Sequence, residues 1–182
     1  MKENIIFSWV DATWKTTRAE HLKNKWYNIS VLKEEIDILK FNIKQNIDIA
    51  IEQWLNNEKI VMDRSLIDLL VYYYINDKKW LLDNDSWIWN IHLIKNILEK
   101  FIYNNKWSVF NYLYTSENII IERLKNRERK WLNLSENDLK VINQDGYLKE
   151  FITTFNIILN IFEKMNKRMW NLIQIKRIDT TV

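Results

Sequence analysis

The sequence predicts an α/β protein built on a parallel sheet, and three observations carry that reading. Short apolar, β-type runs alternate with longer helical patterns from one end to the other. A content of 47% hydrophobic and 28% charged residues in 182 positions suits a globular domain with its own core. No internal repeat and no Pro-, Gly- or Ser-rich linker divides the chain, so residues 1–182 read as one domain.

The elements follow in order. Residues 4–9 read as a buried strand, with Ile5-Ile6-Phe7 at its centre, and 15–25 as a helix. Tyr27 to Lys33 is a second strand and 36–56 a helical region. Lys59-Ile60-Val61-Met62 is a third strand that ends at Asp63-Arg64-Ser65. Helical patterns cover 66–76 and 88–103, the latter opened by Asp85 or Ser86. Ser108 to Tyr114 is a fourth strand, and Ser116 is placed to cap a helix over 117–129. Ser135-Glu136-Asn137-Asp138 has capping-box spacing and opens a long helical region to 168. Asn171 to Ile178 is the fifth strand.

Between the first strand and its helix stands Trp9-Val10-Asp11-Ala12-Thr13-Trp14-Lys15-Thr16. A phosphate-binding loop reads G-x-x-x-x-G-K-[S/T], its glycines letting backbone N–H groups close around a polyphosphate. The spacing and Lys15-Thr16 are kept, and tryptophan holds both glycine slots. The composition shares that anomaly, with Gly 1, Pro 0 and Trp 10. Average usage would give about 13 glycines and about 9 prolines. Abundant Asn, Lys and Ile with no Pro suggests an AT-rich genome, but tryptophan, coded by TGG, should not rise with it.

Trp26, Trp80, Trp107 and Trp131 each follow a lysine; Trp26 and Trp107 sit where a polar helix end passes into an apolar strand. Trp170, after Lys167-Arg168-Met169, has a similar place. Glycine is favoured there because the chain turns left-handed. We read many or all of these tryptophans as glycine in the native protein, from UGA codons conceptually translated as Trp. The alternative is a true Trp-rich core in a chain that has lost its phosphate loop.

Composition bounds the chemistry. Absence of Cys removes disulfides, zinc thiolate sites and thiol catalysis. A net charge of +3 without a basic block does not argue for nucleic acid. No apolar run is long enough to span a bilayer, and Met1 to Trp9 is too short for a signal peptide. The expectation is a cytoplasmic protein bound neither to membrane nor to nucleic acid. His21 and His92 lack ligand-spaced partners.

Three groups of residues carry the expected chemistry. With glycine at 9 and 14, Lys15 would bridge the β- and γ-phosphates and Thr16 would ligate Mg²⁺, at a helix N-terminus that favours anions. With tryptophan there, the indoles would fill the phosphate space. Asp63 at the end of the third strand can hold hydrated Mg²⁺, and Arg64 can grip a phosphate bidentately. Arg123 and Arg127, four apart on one helix face, suit an arginine-bearing lid that neutralises a phosphoryl-transfer transition state.

Phe7 to Leu22, FSWVDATWKTTRAEHL, resembles the opening of thymidylate kinases, and with glycine at 9 and 14 the match is close. Val31-Leu32-Lys33-Glu34-Glu35 falls where that family has its Thr-Arg-Glu-Pro segment. Asp63-Arg64 matches its Asp-Arg-Tyr motif, and Tyr112-Leu113, Glu117, Arg123 and Arg127 follow its fourth strand and lid.

The resemblance implies a three-layer P-loop kinase fold, a five-stranded parallel sheet flanked by helices, with a lid around 123–137 and often a homodimer. It implies ATP and Mg²⁺ as cofactors and phosphoryl transfer to a nucleotide, dTMP to dTDP. Trp9, Ala12, Thr13, Trp14, Lys15, Thr16, Thr17 and Arg129 would line the ATP site. Asp11, Glu34, Arg64 and Tyr72 would meet the acceptor. Lys15, Arg64, Arg123 and Arg127 would act in transfer, and Thr16 and Asp63 on the metal.

Departures bear on the acceptor. Ser65 replaces the family's Tyr, Asp68 its Ser, Tyr73 its base-reading Gln, and Gln144 stands where an Arg precedes the tyrosine matched by Tyr147. Ser65 is also similar to the Glu-Arg-Ser motif of deoxynucleoside kinases. A deoxynucleoside kinase, or a non-catalytic relative if Trp9 and Trp14 are genuine, is the alternative.

Overall fold

The computed structural model describes residues 5–8, 22, 28–30, 60–62, 65–76, 87–130, 134 and 136–181. Its strands are β1 (Ile5–Ser8), β2 (Asn28–Ser30), β3 (Ile60–Met62), β4 (Val109–Tyr114) and β5 (Gln174–Asp179). Among the described residues the helices are α1 (Leu66–Asn76), α2 (Trp87–Asn104), α3 (Glu117–Arg129), α4 (Glu136–Asn143) and α5 (Tyr147–Arg168). The strands pair in parallel in the order β2-β3-β1-β4-β5. Register is continuous across the centre, where Ile5 faces Val61 on one side and Val109 on the other.

Parallel strands covered on both faces read as continuous apolar runs. Ile6, Phe7, Phe110 and Leu113 are accordingly buried. Beside the sheet, α5 packs against both α1 and α2. Phe162 of α5 is the meeting point, with ring centroids 4.9 Å from Phe110 and 6.1 Å from Phe101, both tilted. No described helix is long and apolar enough to cross a membrane.

The long helical region expected over 135–168 is two helices. Gln144, Asp145 and Gly146 break it, and Gly146, the single glycine in the sequence, enters α5 at φ 78. A Cβ added at Gly146 would meet nothing within 4 Å, so the demand there is conformational only.

Two tryptophans share that left-handed region, Trp107 at φ 72 and Trp170 at φ 62. At the end of α5, Asn171 N–H donates to Asn166 C=O (2.8 Å) and Trp170 N–H to Lys167 C=O (3.3 Å). These are the 6→1 and 5→2 bonds of a Schellman motif, with Trp170 at C′, where glycine is usual. After α2, Ser108 N–H donates to Asn105 C=O (3.0 Å), closing a turn with Trp107 third and left-handed, again a glycine position. Trp170 is 90% exposed, so its indole gains almost nothing by burial. Trp26, Trp80 and Trp131 lie outside the described residues. In protein made with the sequence as written, Trp170→Gly is expected to raise stability by about 1 kcal/mol, because an L-residue pays that much in the left-handed region. Urea unfolding of the pair measures it.

The start of β5 also differs from expectation, Gln174 instead of Asn171. Asn171 is left-handed at φ 53, and Ile173 is held by a side chain before the strand begins. Buried Asn166 donates through Nδ2 to Ile173 C=O (2.8 Å) and accepts from Ile173 N–H at Oδ1 (3.0 Å). Asn166→Ala leaves both backbone groups without that partner. The expected cost is about 2 kcal/mol, read by urea denaturation.

Candidate functional site

In an open parallel sheet, ligands bind beyond the carboxyl ends of the strands where the strand order reverses. Here the connection from β1 leads to β2 on one side, while β4 and β5 lie on the other. The reversal therefore falls at the ends of β1 and β4, at Ser8 and Tyr114. Residues 9–16 follow Ser8 directly, and Leu22 is helical and packs against the core. The strand, the Lys15-Thr16 sequence and a helical residue thus come in the chain order that a phosphate-binding motif requires.

Trp9, Asp11, Ala12, Thr13, Trp14, Lys15, Thr16, Thr17, Glu34, Asp63 and Arg64 lie outside the described residues. Tyr72 falls on α1. What borders them is described in detail. Ser65, fully buried, caps α1: its Oγ accepts from Ile67 N–H (3.0 Å) and Asp68 N–H (3.4 Å). Asp68 Oδ2 accepts from Ser65 N–H at 2.6 Å, completing a capping box over Ser65-Leu66-Ile67-Asp68. The same Oδ2 lies 2.8 Å from Ser65 Oγ and 2.8 Å from Ser8 Oγ, and the two hydroxyls are 2.7 Å apart. Ser8 and Asp68 are also fully buried.

The three arginines expected on a lid, Arg123, Arg127 and Arg129, share α3 but not one environment. Arg123 is partly buried, and its Nη2 donates to the Thr180 carbonyl just past β5. Desolvation lowers the guanidinium pKa, with neighbouring Glu122 acting the other way. Arg127 and Arg129 are exposed in the last turn of α3. Ser116 stands at the N-cap of α3 in an extended conformation but makes no side-chain cap bond.

At the carboxyl end of β4, a pocket of about 610 Å³ is lined by Tyr112, Tyr114, Ser116, Glu117, Asn156 and Arg177, among others. Tyr112 stacks on Phe155 (5.5 Å, 16°) and its hydroxyl donates to Asn156 Oδ1 (3.3 Å). Arg177 lies over the Tyr112 ring at 5.9 Å and pairs with Glu163 at 2.7 Å. Burial chiefly, aided by Glu163 and Tyr114 and opposed by Arg177, pushes the Tyr112 phenol up to about 12. It is neutral at physiological pH and offers a hydrogen bond, not a base.

A phenol whose pKa is higher folded than unfolded holds its proton longer in the native state. Its contribution is whole below the unfolded value and is lost as pH rises toward the folded one. Stability should therefore fall between pH 10 and about 12. Tyr112→Phe should flatten that decline in urea titrations across the range.

No protein-family model matches the chain, and no curated protein matches its sequence. Solved structures do. Polyphosphate kinase 2 from Arthrobacter aurescens TC1 superposes with a TM-score of 0.64 at 15% identity, over 98% of this chain and 62% of that one. Deoxyadenosine kinase from M. mycoides, solved with bound dATP, gives 0.53 at 20% identity, over 99% of this chain and 91% of that one. The YorR protein of Bacillus subtilis, solved in complex with phosphorylated GDP, gives 0.53 at 18% identity, over 97% and 85%. The chain has the fold of these kinases. It spans less than two thirds of the polyphosphate kinase 2 chain and most of the other two.

Proposed function

We propose that the chain is an ATP-dependent phosphotransferase whose acceptor is a nucleoside or nucleotide, with dTMP, giving dTDP, as the acceptor that the sequence resemblance favours. One observation carries the reading. The Lys15-Thr16 loop follows directly on the strand whose carboxyl end lies at the reversal of strand order. A kinase fold at 15–20% identity supports it, as does the match of Asp63-Arg64 to a kinase motif.

The loop must be glycine-bearing for this reading. The left-handed backbone at Trp107 and Trp170 supports glycine at the tryptophan positions generally, 9 and 14 included. With glycine there, the donor set fits a magnesium–triphosphate: Lys15 and loop N–H groups for the phosphates, Thr16 and Asp63 for Mg²⁺. ATP, when bound, would supply the phosphoryl group, and Mg²⁺ would spread its charge. Arg64 would orient an acceptor phosphate, and exposed Arg127 and Arg129 would bring positive charge to the transferring group.

A second acceptor reading, a deoxynucleoside kinase, is favoured by Ser65 as the buried cap of α1 and by the likeness to deoxyadenosine kinase. Protein with glycine at 9 and 14 should transfer phosphate from ATP to one of dTMP, thymidine and deoxyadenosine. Turnover of dTMP upholds the first acceptor, turnover of a nucleoside alone the second. Inactivity on all three would leave a non-catalytic relative.

A further inference from the structure

We propose that Ser8, Ser65 and Asp68 form a buried latch that sets the spacing between the phosphate-loop entrance and the Asp63-Arg64 pair. They would serve as positioning residues for the reaction and not merely as a helix cap. The inference rests on the phosphotransferase reading for its purpose, though the latch itself is a matter of structure.

A cap needs only Ser65 and Asp68, which already satisfy each other across the first turn of α1. Ser8 is superfluous to that box, yet its hydroxyl reaches across 57 positions to Ser65 and 60 to Asp68. The two hydroxyls carry two protons for three short contacts, so at any moment two of the three are hydrogen bonds, and the protons can trade among Ser8, Ser65 and Asp68 Oδ2. In a fully buried setting, such a network is costly to leave half-made and correspondingly rigid when complete.

Its place gives it a purpose. Met62 is held to β1 by the sheet register opposite Ile6, and Ser65 is held to β1 by Ser8. The only residues between those two anchors are Asp63 and Arg64. Both ends of the pair are therefore tethered to the strand whose next residue begins the phosphate loop. If Arg64 holds the acceptor and the loop holds the donor, the latch fixes the distance over which the phosphoryl group must travel. Misplacement by about 1 Å in such a step costs on the order of 100-fold in rate.

The decisive variant is Ser8→Ala, which cuts the cross-link and leaves the cap of α1 intact. It is made in protein with glycine at 9 and 14 and compared with that parent. Amide hydrogen exchange is the first readout. Peptides spanning 9–17 and 63–64 should exchange at least about tenfold faster together, while those of α5 keep the parent's rate. Where the parent transfers phosphate, Ser8→Ala should lower kcat by ~10-fold or more and change the Kd for a nonhydrolysable ATP analogue by under ~3-fold.

Exchange unchanged in either segment, or kcat within about twofold of the parent, overturns the latch. A parent that is inert while both segments loosen in Ser8→Ala upholds the latch and removes the kinase reading. Ser65→Ala, which loses cap and cross-link together, should slow transfer and also lower the unfolding midpoint, separating helix stability from spacing.

Discussion

Protein with glycine at positions 9 and 14 is expected to bind Mg·ATP at least about 100-fold more tightly than protein with tryptophan there, some 2.7 kcal/mol. The reason is steric and electrostatic at once. A loop of small residues would turn successive N–H groups toward one anion, and a helix opening at Lys15, as the sequence predicts, would add partial positive charge. Two indoles would exclude the anion and leave the lysine with nothing to hold. Titration calorimetry on the two forms measures the difference, and equal affinities would end the case for a polyphosphate site. Intact mass of native material checks the premise, since each glycine in place of a tryptophan lowers it by one fixed increment.

Among the arginines of α3, and on the proposed phosphotransferase reading, Arg127→Ala should depress kcat by ~10³ in the glycine-bearing protein with little change in unfolding midpoint, as an exposed arginine supplying transition-state charge would. Arg123→Ala should behave in the opposite sense. Its guanidinium is engaged by the Thr180 carbonyl and partly desolvated, so its loss is expected to cost about 1 kcal/mol of stability. Its kcat should fall far less. Steady-state kinetics beside urea unfolding separates the two. A collapse of kcat in Arg123→Ala, with Arg127→Ala spared, would reassign the transfer role to the inner arginine.

Much of the sheet was legible because parallel strands announce themselves as short apolar runs between turn signals. Ile5-Ile6-Phe7, Ile60-Val61-Met62 and the run through Phe110 all lie in strands within a residue or two of expectation. The helix–strand junctions were legible for an unusual reason: tryptophans stood where glycine is wanted, and two of them prove left-handed.

Three things were not read. The break before α5 rests on Gly146 after Gln144-Asp145, a weak signal inside a strong 3.6-residue pattern. The late start of β5 depends on Asn166, whose side chain meets Ile173 only once the helix has turned back. The Ser65-x-x-Asp68 box did carry a sequence signal, the same pattern noted at Ser135, ahead of the apolar α1. Its link to Ser8 is tertiary, and no local pattern contains it. The acceptor-side departures at Ser65 and Asp68, met first as substitutions in a motif, acquire a physical role through that link.

The first strand of the chain sits mid-sheet, flanked by segments that come more than fifty and more than a hundred residues later. It must wait for both neighbours before it can dock, so the crevice beyond its carboxyl end is completed by long-range closure, which is entropically slow. A ligand held at the carboxyl end of β1 would then act as a keystone, adding RT ln(1 + [L]/Kd) to the assembled state. Starved of it, newly made chains should linger half-assembled, with the β4–β5 half formed ahead of the rest.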